Sequence, residues 1–143
     1  MNKLIILVLL AASLYSAIGH AQDDETIDFG PIVEQMSAQC PYQDGRDWAV
    51  TTVAMTGDTI AVEIEAPASI SGFLSAFTGS SLNVKRLWVE HIMGYGDDCK
   101  RLIELMAEEG KPLLLTIRPK KSDDCPSIYI SGQEIGTILA TQN

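Results

Sequence analysis

The chain has little of what most catalytic and metal sites require. Its 143 residues include 2 histidines, 3 cysteines and only 6% aromatic residues. No two cysteines have CxxC spacing, and no GxSxG, P-loop, GxGxxG or HExxH motif occurs. These absences exclude a thioredoxin-type motif, a multi-histidine metal site and the common nucleotide and hydrolase signatures. We therefore expect no catalytic set, no bound metal and no cofactor.

Positive charge is also scarce. Lys and Arg together number 10 against 19 Asp and Glu, which gives a formal charge of -9. A nucleic-acid partner is not expected, because phosphate contacts need a basic surface. The basic residues include doublets at 85–86, 100–101 and 120–121, which can bind an anionic glycan or partner if they converge. The rest of the composition is that of one ordinary globular domain.

The first 21 residues are typical of a secretory signal peptide. Lys3 precedes an apolar run over 4–12, and Gly19 and Ala21 provide small residues ahead of a cleavage site. The unbroken run is about nine residues, whereas a membrane-spanning helix needs about 20. We expect cleavage after Ala21, no lipid anchor because no cysteine is near that site, and a secreted or periplasmic mature protein that does not span the membrane.

Hydrophobic periodicity predicts an acidic, loose segment over 22–30, followed by a single α+β domain over 31–143. Two helix-plus-hairpin halves make up this domain, with IVEQM in the first helix resembling LIELM in the second. The predicted elements are a helix over 31–40, strands 48–55 and 59–65, helical segments over 69–77 and up to 94, a helix over 98–109, strands 113–118 and 127–131, and a short helix over 133–140. This order favours one antiparallel sheet with helices packed on one side.

Three cysteines in an exported chain favour one disulfide and one leftover thiol. A helix over 98–109 rises about 1.5 Å per residue, and the following strand runs back over a similar distance. The turn after that strand should therefore lie near the start of the helix. This argument predicts a disulfide between Cys99 and Cys125 and a free thiol at Cys40, with the other two pairings still open.

Two pairs of charged residues are candidates for binding. Glu63 and Glu65 share the strand face opposite the apolar one, so alternation predicts that both are exposed. Lys120 and Lys121 lie in the polar turn between the last two strands. A solvated sheet edge explains the same residues. The paired aspartates of the chain lack EF-hand spacing and are better explained as turns and helix caps than as metal ligands.

The segment 36–41 (MSAQCP), the valine-rich hairpin, the central helices and a last hairpin ending in ISGQEI resemble small secreted proteins of Bacteroides-type bacteria. The resemblance covers most of the mature chain and rests on the pattern of elements. It implies export and the same helix-and-hairpin fold, and it implies no established activity. Cys99 and Cys125 are not part of that pattern.

The sequence thus predicts a secreted or periplasmic, non-catalytic binding domain whose partner is a protein or a glycan. One alternative is a thiol-dependent enzyme, with Cys99 as nucleophile, His91 as base and Asp97 orienting the ring. The other is a small inhibitor of a secreted enzyme.

Overall fold

A computed structural model describes residues 27–43 and 47–142, and its architecture is α+β, as predicted. In chain order its elements are α1 (Phe29–Gln39), β1 (Tyr42–Gln43), β2 (Ala49–Thr56), β3 (Thr59–Ala66), a 3-10 helix (Ala68–Phe73), α2 (Leu74–Phe77), α3 (Leu82–Met93), α4 (Asp97–Glu109), β4 (Leu113–Pro119), β5 (Ser127–Ile130) and α5 (Gly132–Ala140). The two predicted hairpins are β2–β3 and β4–β5. The predicted signal peptide over 1–21 lies outside the described residues.

The sheet has the order β1-β2-β3-β4-β5, and its central pair runs parallel. The prediction of an entirely antiparallel sheet is therefore wrong at β3–β4, although the other three pairings are antiparallel. Between the hairpins, the chain passes through the 3-10 helix, α2, α3 and α4 before it re-enters the sheet. A crossover of this length can bring a strand back in the same direction, whereas a short turn cannot.

One face of the sheet is buried under the helices, as predicted. The other face has no helix of the described residues over it, and we call it the bare face. Along β3, the side chains of Ile60, Val62 and Ile64 are buried, while the residues between them are partly exposed. Strand β4 alternates in the same way, down to the exposed Arg118. The buried face packs with the helices in one hydrophobic core. Strict alternation of this kind stabilises a sheet with one wet face.

Local signals explain most of the helix ends. Helix α4 starts with two aspartates, which interact favourably with the helix dipole, and it ends at Gly110 in the left-handed conformation (φ 70°). Helix α5 begins with a capping box formed by Ser131 and Glu134. No helix among the described residues is both long and apolar enough to cross a membrane.

The N-terminal boundary differs from the prediction. Helix α1 begins at Phe29, two residues ahead of Pro31, with Asp28 as its N-cap. Ile27 is buried, and its backbone N–H donates to Glu109 at 3.0 Å. The prediction of a loose segment reaching residue 30 is therefore wrong for residues 27–30. An apolar residue on each side of Asp28 ties this segment to the core.

The predicted Cys99–Cys125 disulfide is wrong, because no two cysteines of the described ranges lie at bonding distance and all three are thiols. Cys99 is 1% exposed and belongs to the core beneath the helices. Cys125 Sγ lies 3.9 Å from the guanidinium of Arg118, on the bare face of the sheet. Matching lengths do not determine on which face of the sheet each cysteine lies: Cys99 is in the core, whereas Cys125 is beside the exposed Arg118. Cys40 is a half-buried thiol, and the disulfide from which it was expected to be left over is not formed.

Candidate functional site

An apolar cavity of about 250 Å³ opens on the surface where α3 meets the start of β2 and the segment before α3. Its walls are large hydrophobic and aromatic side chains, with one histidine among them. The lining residues are Trp48, Ile70, Phe77, Leu87, Trp88 and His91. Both tryptophans of the chain are in this set. Cavities of this composition are the usual form of small-ligand and side-chain binding sites.

Helix α3 supplies half of the lining. The Ser81 hydroxyl accepts from the Val84 N–H at 3.2 Å and starts the helix. His91 follows Trp88 by three residues and Leu87 by four. These spacings place the three side chains on the same side of the helix. Trp88 is the deepest of them, at 5% exposed.

The Trp88 indole joins two elements of the wall. Its Nε1–H donates to the carbonyl of Phe77, the last residue of α2, at 2.6 Å. This bond anchors the short helix α2 to α3. Because α2 has only four residues, its position depends on such tertiary contacts more than on its own helical bonds.

The rings at the cavity contact one another, with His91 edge to face against both tryptophans and the two indoles tilted to each other. The centroid of Trp48 lies 4.7 Å from that of His91 and 6.1 Å from that of Trp88. Trp88 and His91 are 5.8 Å apart and nearly perpendicular, at 89°. These spacings are direct ring contacts, each contributing about 0.5–1.5 kcal/mol beyond burial. A ligand therefore has no space between the rings and would lie over them, inside the cavity.

A second cavity of about 270 Å³ also borders on His91. It is lined by Glu90, His91, Gly94 and Tyr95, and His91 is shared by the two cavities. The His91 Nε2 is 2.9 Å from the Tyr95 hydroxyl. Glu90 accepts a long hydrogen bond from Gln142 at 3.4 Å. Within the ranges the structure describes, Glu90 forms no ion pair, and it is an exposed residue.

The predicted binding residues lie elsewhere, on the bare sheet face. Glu63 pairs with Arg118 at 2.6 Å, and Glu65 pairs with Lys120 at 3.9 Å. Lys121 follows in the turn, with φ of 62°. The structure thus brings Glu63, Glu65 and Lys120 to one surface, but as partners of strand β4 and its turn. Exposed pairs of this kind contribute about 0–1 kcal/mol each.

The basic doublets are also engaged within the protein. Lys85 pairs with Glu134 at 2.7 Å, Arg86 donates to Thr141, and Arg101 lies 3.7 Å from Glu104. The Lys85 contact, together with the capping box, holds the pKa of Glu134 below its usual range. Lys85 and Arg86 thus tie α3 to α5 and the residue that follows it, so they are poor candidates for an anionic ligand.

The residues of the thiol-enzyme alternative occupy different environments. His91 is partly exposed at the cavities, whereas Cys99 lies in the first turn of α4 and is almost completely buried. The neighbouring Asp98 accepts a hydrogen bond from the Tyr42 hydroxyl at 3.2 Å. The role of Cys99 as a nucleophile stays a prediction, which thiol chemistry can test.

The three thiols should react with iodoacetamide at well-separated rates. Burial raises the pKa of the Cys40 thiol, and each pKa unit lowers its reactive thiolate fraction about tenfold near neutral pH. We expect Cys125 to be alkylated first, Cys40 more slowly and Cys99 last, as measured by peptide masses over a time course at pH 7.5. Fastest labelling of Cys99 would contradict this order and would favour the thiol enzyme.

The sequence contained the cavity residues but gave no reason to group them. Leu87, Trp88, His91 and Tyr95 follow helical spacing, which equally fits a face turned into the core. Trp48 comes from a different segment, and only the fold brings it beside His91. One signal was available in the sequence. Trp48 is the first residue of a predicted strand, and Trp88 and His91 lie in the last two turns of a predicted helix.

No protein-family model matches the chain, and no curated protein matches it. Among solved structures, it is similar to the crystal structure of a "putative secreted protein (PA3611)" from Pseudomonas aeruginosa, with a TM-score of 0.50 and 11% sequence identity. The similarity covers 73% of this chain and 87% of that one. At this identity the likeness shows a related fold alone. The resemblance to secreted proteins of Bacteroides-type bacteria stays a prediction.

Proposed function

We propose that this protein is an exported, non-catalytic binding domain and that the apolar cavity lined by Trp48, Trp88 and His91 is its ligand site. The observation that carries the proposal is that both tryptophans of an aromatic-poor chain line one open cavity. Tryptophan is the residue type most enriched among residues that dominate binding energy. Of the lining residues, only His91 can titrate, which favours recognition over chemistry.

Exposed apolar side chains around the cavity support the same proposal. Leu87 is 53% exposed and lines it, and Phe73, between the lining residues Ile70 and Phe77 in sequence, is 63% exposed. Covering such surface contributes about 25 cal/mol per Å². A ligand or partner that covers this region would gain binding free energy, because it would bury apolar surface that the folded protein leaves exposed to water.

The size of the cavity limits what enters it. Drug-sized ligands occupy roughly 300–1,000 Å³. At about 250 Å³, the cavity accepts a single aromatic or branched aliphatic group. That group can be a small molecule, or one side chain of a partner protein in the periplasm or outside the cell.

Export rests on two lines of support. The first 21 residues have the pattern of a cleaved signal peptide. The structural neighbour from Pseudomonas aeruginosa carries a name that describes secretion. We place the mature protein in the periplasm or outside the cell.

The test is a titration with 2-phenylethanol, followed by the indole N–H signals of the two tryptophans in NMR spectra. We expect saturable shifts of both signals at millimolar probe. Leu87→Gln should weaken binding about three- to tenfold by removing one apolar wall, because losing a buried aliphatic group costs on the order of 1 kcal/mol.

The matched control is Tyr129→Gln, which changes a similarly exposed apolar residue (54%) on the bare sheet face. It should leave the titration unchanged. Indole signals that do not shift, or an equal loss of binding in both variants, would contradict the proposed site.

A further inference from the structure

We propose that the ligand of this site is a small aromatic amine, with its ring in the cavity of Trp48 and Trp88 and its ammonium group beside Glu90. The inference rests on the proposed function and adds the charge of the ligand. Its basis is that His91 lines both an apolar cavity and a more polar one that is lined by a carboxylate.

The two cavities differ in the chemistry they offer. The first is lined by the two tryptophans with Ile70, Phe77 and Leu87, and suits an apolar group. The second presents the Glu90 carboxylate and the His91–Tyr95 pair. Both reach the ring of His91, so a ligand of a few carbon atoms beyond its own ring can contact the two. Such a ligand is amphipathic.

The sign of its polar group follows from Glu90. The two cations that precede Glu90 on α3 contact other residues. Lys85 forms an ion pair with Glu134, and Arg86 donates a hydrogen bond to Thr141. Among the described residues, the Glu90 carboxylate accepts a hydrogen bond from the neutral amide of Gln142, at 3.4 Å, and forms no ion pair. A carboxylate in this position attracts a cation and repels an anion.

Two further features favour a cation. The chain carries a formal charge of -9, so its field raises the local concentration of cations. Both tryptophans line the first cavity, and tryptophan rings attract positive charge as well as apolar groups. An anionic ligand meets opposition from each of these features.

The experiment compares three probes that share a phenyl ring and a short chain but differ in charge: 2-phenylethylamine, 2-phenylethanol and 3-phenylpropionate. Binding is measured by the tryptophan indole signals at pH 7 and low salt. We expect the amine to bind about three- to fivefold more tightly than the alcohol, the range that a partly exposed ion pair provides, and the acid to bind most weakly. Addition of 0.5 M NaCl should reduce the difference.

Glu90→Gln tests the residue that selects the amine. The variant should lose most of the preference for the amine over the alcohol, while its affinity for the alcohol stays at the wild-type value. Glu108→Gln is the control, because Glu108 is an exposed glutamate on α4 and the substitution changes the net charge by the same amount. It should keep the preference for the amine.

The outcomes separate the two proposals. If none of the probes binds, the proposed function is wrong. If the alcohol binds but the wild type shows no preference for the amine, or prefers the acid, the site stands and the ligand charge inferred here is wrong. A preference for the amine that is undiminished in Glu90→Gln also overturns the inference.

Discussion

Replacing Trp88 by alanine is expected to destabilise the protein by about 3–5 kcal/mol, the usual cost of removing a buried tryptophan or phenylalanine side chain. The ring is 5% exposed and contacts Trp48 and His91. Its loss also leaves the Phe77 carbonyl without the donor that holds α2 in place. The free energy of unfolding is measured by urea denaturation followed by circular dichroism.

Trp88→Phe separates the two contributions. Phenylalanine keeps most of the buried ring but cannot donate to the Phe77 carbonyl, so we expect a loss of about 1–3 kcal/mol. At 2-phenylethanol concentrations that saturate the wild type, the phenylalanine variant should still bind and the alanine variant should not. An alanine variant within 1 kcal/mol of the wild type would contradict the packing described here.

Gly132→Ala is expected to destabilise the protein by about 3 kcal/mol, the upper range for overpacking in a core. Gly132 is buried at the start of α5, where a Cβ atom would lie 2.5 Å from both the Cα and the carbonyl oxygen of Gly110. Gly110 ends α4 in the left-handed conformation, so neither backbone segment can move without disturbing its helix end. Thermal and urea unfolding measure the effect.

Gly136→Ala is the matched control in the same helix. Nothing lies within 4 Å of a Cβ at position 136. Alanine favours the helix over glycine by about 0.5–1 kcal/mol, so this variant should be slightly more stable than the wild type. Equal effects of the two substitutions would show that α5 does not approach Gly110 as closely as described.

The hairpins and the ends of α4 were predictable because their signals are local. Alternation over 59–65 fixes which side of β3 is buried, and Gly110 ends a helix whatever surrounds it. The parallel pairing of β3 and β4 depends on the path of the whole crossover between them. No short segment of the sequence contains that information.

The site was less predictable than the fold for the same reason. The strand pattern put Glu63 on the face opposite the apolar one, where the structure also has it. The pattern did not indicate that Arg118 forms an ion pair with Glu63. The lengths of α4 and β4 predicted that Cys125 lies near Cys99, but they do not determine on which side of the sheet each cysteine lies. The cavity needed the proximity of Trp48 to α3, which only the folded chain provides.

The most direct test of the proposed site is a crystal structure of the protein with 2-phenylethylamine at saturating concentration. We predict density for the phenyl ring against Trp48 and Trp88, with the ammonium group within hydrogen-bond distance of Glu90. An empty cavity, or a probe bound instead at the Glu63–Arg118 surface of the sheet, would contradict the account.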